Sequence, residues 1–226
     1  MRIKNLIKGD ITFQIKYGFY FVYAVFTIFY ILLLMVIPKS MRDEVGTLLI
    51  YTDPAAMGLF FMGAIVLLEK SQKVINSIAV SPVLLLEYIL SKILSLGLIA
   101  SLVGVIIAMV CNMENILLIF LGTFLGSVIF SMLGLIIASK ITSLNQFIIS
   151  TVPIELLCFI PAFLYLFGFD HPTMLIHPGC AVISILQGEN ELLLSIFILC
   201  IWILFLYFIT AQFTKKMFLG VGGGKL

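Results

Sequence analysis

Apolar residues run almost unbroken for about twenty positions at a time along this chain, and short polar or charged stretches interrupt them. The long runs fall at roughly 18–37, 54–70, 91–111, 116–139, 147–167 and 192–213. Each is close to the twenty or so residues that an α-helix needs to cross a hydrocarbon core about 30 Å thick. Backbone polar groups find no water in that core, so runs of this length satisfy them internally as helices. The pattern predicts an all-α integral membrane protein, a six-helix transmembrane bundle.

Three segments depart from the pattern. In residues 1–17, Ile3, Leu6, Ile7 and Ile11 recur at helical spacing with Lys4 and Lys8 opposite. That predicts an N-terminal interfacial amphipathic helix, with a plain charged tail as the alternative. Lys16-Tyr17-Gly18-Phe19-Tyr20 then sets a cation and aromatic rings where headgroups meet hydrocarbon. The second segment, 69–92, is the longest charged break between apolar runs. Val74, Ile75, Ile78 and Ala79 share one helical face, with Lys70, Lys73, Asn76 and Ser77 across from them. Ser81 is placed to cap a following helix and Pro82 to occupy its first position. A surface helix, a turn and a helix re-entering the bilayer would pass force to two spans at once; an ordinary loop fits the same residues.

The third segment, 168–191, is too long and too apolar for a plain loop. His171-Pro172 and His177-Pro178 each read as a turn opening a short helix, and Ala181 to Leu186 is too short to span. A re-entrant or surface-lying pair of short helices is expected between spans five and six. Upstream, Asp53-Pro54 reads as an N-cap and first helical residue, ending an outer loop over 38–52. The chain divides into an N-terminal helix over 1–17, a transmembrane domain over 18–213 and a cytoplasmic tail over 214–226. Spans three and four carry small residues four apart: Gly97/Ser101, Gly104/Ala108, Gly122/Gly126, Ser127/Ser131 and Gly134/Ala138. Such ladders let helix backbones approach closely in lipid.

Composition agrees with the spans. Hydrophobic residues make up 62% of the chain and charged ones 11%, against about 25% charged in soluble domains. With six spans, eleven of the thirteen lysines and arginines fall on the side of the termini, and only Lys39 and Arg42 on the other. The positive-inside rule then sets both termini in the cytoplasm. The first apolar run starts late and is long enough to span, so no cleavable signal is expected. The net charge of +2 follows from this topology and gives no reason to expect nucleic-acid binding.

Chemistry is sparse. Glu155 lies about nine residues into span five, roughly 13 Å deep, where a charge costs about 2.5–3.5 kcal/mol on insertion scales. It either lines a pathway, contacts a cation or couples a proton, or is a protonated carboxyl bonded to a neighbouring helix near Pro153. Asp170, His171, His177 and Cys180 carry ligand-type atoms, but two His–Pro turns explain them equally, and no metal is expected. A disulfide between Cys111 and Cys180 stays open. The glycine-rich tail at 219–226 lacks the spacing of a phosphate loop. A membrane enzyme would need convergent polar groups at depth, and Glu155 stands alone there.

The chain resembles the permease subunits of ATP-binding-cassette exporters of the second export type, and among them the fluoroquinolone export permeases. The resemblance covers nearly the whole chain. It rests on Lys16-Tyr17-Gly18-Phe19-Tyr20, Thr52-Asp53-Pro54, Gly58-Leu59-Phe60-Phe61 and Leu68-Glu69-Lys70. It continues through Ile78-Ala79-Val80-Ser81-Pro82, Glu87-Tyr88, Lys92 and His177-Pro178. It implies that 69–82 is a cytoplasmic coupling helix docking on a separate ATPase subunit. Glu69, Lys70, Lys73, Ile78, Val80, Ser81, Pro82, Glu87 and Lys92 are then the coupling residues. It implies a second permease copy or homologous permease, a lipid environment, and a bacterial plasma membrane. ATP and Mg²⁺ would be bound by the partner, since this chain has no nucleotide motif and is not itself expected to be an enzyme. The solute would be small and hydrophobic or amphipathic, and drug-like by resemblance. The alternative is an ion-coupled secondary transporter using Glu155.

Overall fold

The computed structural model describes residues 2–169, 171–188 and 191–220. Among them every regular element is helical. Helix α1 spans Arg2–Lys16 and turns at Gly18 (φ 79°) into α2, Phe19–Val36. After a short 3₁₀ turn, α3 (Arg42–Ile50) runs through a π-helical turn, Tyr51–Ala55, into α4, Met57–Ser71. Helix α5 covers Val74–Ala79, α6 Leu85–Cys111, α7 Ile116–Lys140 and α8 Leu144–Leu166. A 3₁₀ turn at Pro172–Ile176 leads to α9, Pro178–Gln187, and then to α10, Leu192–Gly220. Among the described residues, six stretches are long and apolar enough to cross a membrane: Phe19–Val36, Lys39–Ser71, Leu85–Cys111, Ile116–Lys140, Leu144–Leu166 and Leu192–Gly220.

Helices α4, α6 and α7 form the centre, with α7 touching α4, α6, α9 and α10. Small residues set these contacts. A Cβ on Gly134 would lie 2.3 Å from the backbone oxygen of Leu59, and one on Gly104 would lie 2.8 Å from Thr123 Oγ1. Gly63 makes room for the Phe147 ring of α8. Asn112, left-handed at φ 60°, closes the tight α6–α7 hairpin. Helix α9, at ten residues about 15 Å long, is buried from Pro178 to Leu186 and packs on α7, α8 and α10.

Several boundaries differ from the expectation. Asp53 does not cap a helix and Pro54 does not begin one, because the helix has been running since Arg42. Pro54 cannot donate to the carbonyl four residues back. The chain widens there instead, and Ala56 N–H donates five residues back to Tyr51. Ser81 and Pro82 do not open α6 either. Ser81 Oγ donates to Ile78 O (2.7 Å), closing the preceding helix, and α6 begins only at Leu85. There Glu87 Oε2 accepts from Leu84 N–H at 3.0 Å. Helix α6 starts before residue 91 and α10 continues past 213 because apolar runs mark the hydrocarbon portion, while the helices extend into the polar zones. Residue 170 and the tail at 221–226 lie outside the described residues.

Candidate functional site

Lys73 adopts the left-handed conformation (φ 58°), ending α4 and aiming α5 across its end. Ile75 and Ala79 are buried and Val74 and Ile78 half-buried, while Lys73, Asn76, Ser77 and Val80 face outward. Val80 is 76% exposed, unusual for an apolar side chain unless the surface meets lipid or protein. The segment after it is tied to the N-terminal helix by Arg2, whose guanidinium donates to Pro82 O at 3.1 Å.

The last turn of α4, just before α5, carries a buried ionic cluster. Lys92 of α6 reaches Glu69 Oε1 of α4 at 2.5 Å and Asp10 Oδ1 of α1 at 2.9 Å. Tyr88 O–H donates to the second Glu69 oxygen at 2.8 Å, and its ring stacks edge-on against Phe218 of α10. One turn further, Gln14 Nε2 donates to Ser95 Oγ at 2.8 Å. Three helices, α1, α4 and α6, therefore meet at one cation, and α10 joins them through the Tyr88 ring. Lys92 is 1% exposed and Glu69 4%. Removing one partner of such a pair leaves an uncompensated buried charge, which costs about 3–5 kcal/mol.

The next residue, Lys70, points the other way. Its ammonium donates to the carbonyls of Ala138 (2.6 Å), Ser139 (2.9 Å) and Ile141 (2.8 Å), which the end of α7 leaves without helical partners. Adjacent charges in the last turn of α4 thus fasten it to α6 and α1 on one side and to α7 on the other.

The residues singled out from sequence separate into two groups. Lys73, Val80 and Pro82 are exposed, and Ile78, Ser81 and Glu87 are half-buried beside them. Glu69 and Lys92 are interior, and Lys70 caps α7 instead of sharing the outward face with Lys73. Asp10 and Gln14 were missed. Their signal was present: they continue the Ile3, Leu6, Ile7, Ile11 stripe at helical spacing, and an acid on an apolar face demands a partner.

Glu155 stands apart on α8, half-buried, with Oε1 buried and unpartnered. A second carboxylate at depth, Asp53, was read as a cap and is instead interior in the π-helical turn. Tyr30 of α2 hydrogen-bonds it, and its Oδ2 has no partner. Among the described residues no group of three His, Cys, Asp or Glu side chains converges as metal ligands, and the four cysteines are free. At the α5 end a cavity of about 520 Å³ is lined by three lysines. At the opposite end one of about 370 Å³ is lined by Asp43, Glu44 and Glu114.

The outer segment has its own local logic. His177 Nδ1 accepts from Gly179 N–H at 3.2 Å, capping α9. The ring also bonds the Leu157 backbone, whose carbonyl Pro161 cannot serve as a helical donor four residues on. Burial lowers the His177 pKa below its ordinary 6.5, consistent with a neutral ring that accepts at one nitrogen and donates at the other.

Compared with known proteins, the chain matches the fluoroquinolones export permease protein family over residues 1–191. It is 22% identical over 180 residues to a fluoroquinolones export permease protein of Mycobacterium tuberculosis strain CDC 1551, covering 78% of this chain and 76% of that one. The counterpart in strain H37Rv is similar to the same extent, 22% over 180 residues.

Proposed function

The chain belongs to the fluoroquinolones export permease family, and on that premise we propose that it is the membrane subunit of an ATP-binding-cassette exporter. It moves a small hydrophobic or amphipathic solute, drug-like as the names of its relatives have it. A separate ATPase subunit binds ATP and Mg²⁺ and supplies the energy. The lysine-rich end faces the cytoplasm, and a second permease completes the path.

The observation that carries this reading is α5. It is a short helix whose outward face holds Lys73, Asn76, Ser77 and the exposed Val80, and the Lys73 turn links it to the last turn of α4, whose charges bind α4 to α6, α1 and α7. A push on α5 reaches α4 through the Lys73 turn, α6 and α1 through Glu69–Lys92–Asp10, and α7 through Lys70. Spans two to four then move together, the arrangement alternating access requires. Lys73, Val80 and Pro82 act as the docking face; Glu69, Lys70 and Lys92 transmit.

The test is affinity purification of the tagged chain in mild detergent, with ATPase activity measured in the eluate. Val80→Asp with Asn76→Ala is expected to release the ATPase while leaving permease yield unchanged. An eluate without any ATPase would overturn the reading. The buried, unpartnered oxygen of Glu155 supports the ion-coupled alternative, and solute movement that stops in Glu155→Gln but persists without ATP would establish it.

A further inference from the structure

We propose that the cavity among the ends of α4, α7 and α10 binds the phosphate of an anionic phospholipid headgroup. The cavity measures about 520 Å³ and is lined by Lys70, Lys140 and Lys216, with no carboxylate among its lining residues. Both ion pairs among the described residues belong to Lys92, so none involves these lysines. Lys70 spends its three N–H groups on the α7 carbonyls. Lys140 and Lys216 are different. Both are exposed, and both approach the Phe213 ring, at 4.0 Å and 5.7 Å from its centroid. Two ammoniums gathered on one ring repel each other unless an anion joins them.

Depth identifies the anion. Phe213 lies twenty-one residues past Leu192 along α10, roughly 32 Å at 1.5 Å per residue, which is the thickness of the hydrocarbon core. The ring thus sits at the hydrocarbon boundary and Lys216 one turn beyond, at phosphate level. The remaining lining includes Ile75 and Met217, apolar surface that suits a glycerol backbone and the start of an acyl chain. A free phosphate ion would leave that surface unused. Basic pockets between transmembrane helices at the headgroup level are established binding places for anionic lipid. The lipid would bridge α7, α10 and, at Asn76, the α5 helix. None of this depends on an ATPase.

The test uses the full chain in nanodiscs or detergent, with thermal unfolding and lipid retention by native mass spectrometry as readouts. Phosphatidylglycerol is expected to raise the unfolding temperature and to stay bound where phosphatidylcholine does not. With about 1 kcal/mol per basic residue near a charged surface, Lys140→Gln with Lys216→Gln weakens phosphatidylglycerol retention about thirty-fold. Lys140→Arg with Lys216→Arg retains it, which separates lost charge from lost folding. Equal retention of the two lipids, or a preference unchanged in the double Gln variant, would overturn the proposal. So would inorganic phosphate reproducing the full shift in lipid-free detergent, which would make the ligand a free anion. Loss of ATPase co-purification in the Gln variant without any lipid preference would assign the lysines to a protein contact and likewise overturn it.

Discussion

Within an apolar eighteen-residue window of spans two, three and four, 72%, 61% and 56% is buried inside the chain, against only 22%, 22% and 17% for spans one, five and six. Mean hydropathy does not sort the two groups: buried spans three and four stand at 2.7 and 2.4, exposed spans one and five at 2.4 and 2.1. What separates them is the small residues and the charges. The inner three carry the glycines that meet backbone or side chain at short distance, and they hold Glu69, Lys70 and Lys92. The outer three carry exposed large side chains such as Phe21, Leu157 and Phe208. In lipid, burying such residues brings little gain, so close packing and polar contacts decide which helices cohere.

The sharpest way to break this contrast is Lys92→Met. It strands Glu69 and Asp10 and is expected to cost about 3–5 kcal/mol, read as thermal unfolding in detergent. Adding Glu69→Leu and Asp10→Asn should recover most of the loss; no recovery would mean that the cluster matters for something other than charge balance. Gly134→Ala comes next, at about 1–3 kcal/mol, because its Cβ meets the Leu59 backbone. Gly9→Ala, with nothing within 4 Å in the outlying α1, should leave stability unchanged or raise it.

His177→Phe removes the α9 cap and is expected to cost about 1 kcal/mol, while His177→Asn keeps the acceptor. The pH dependence has a defined sign. Burial lowers the folded pKa below 6.5, so as pH falls through 6.5 the unfolded chain binds the proton first and stability drops. Above that value the residue contributes no slope, and His177→Asn should abolish the acid loss in a titration of unfolding temperature. The smallest effect belongs to the outer spans. Phe208→Leu and Leu157→Ala, 67% and 69% exposed, should each shift stability by less than about 0.5 kcal/mol. A larger loss at either position, with a change of mass in detergent, would mean that a second copy covers that face.

Span number and order were legible in the sequence, since run length alone dictates them. The inward face of α5 was legible too, because Val74, Ile75, Ile78 and Ala79 keep helical spacing. Asp53-Pro54 misled because the same dipeptide suits a helix start and a π-helical widening, and only the preceding turn distinguishes the two. Ser81-Pro82 misled in the same way: the Ser81 hydroxyl donates back to Ile78 and accepts forward only from Val83 N–H at 3.4 Å, short of the α6 start at Leu85. The ionic cluster was illegible as a cluster. Its members lie at 10, 69 and 92, and no local pattern pairs residues so far apart. Charges at the borders of apolar runs looked like ordinary membrane-surface residues until the fold brought them into contact.

The pairing of Asp10 with Lys92 also sets an order of assembly during synthesis. The two residues are 82 positions apart. At roughly 5–20 residues per second the cation is made about 4–16 seconds after the acid. Throughout that interval the first helix has no cation to hold it and must stay in water or among headgroups. It can dock only when span three has entered the bilayer and delivered Lys92. Helix α1, synthesised before the spans it packs on, is therefore among the later parts of this half of the protein to reach its final place.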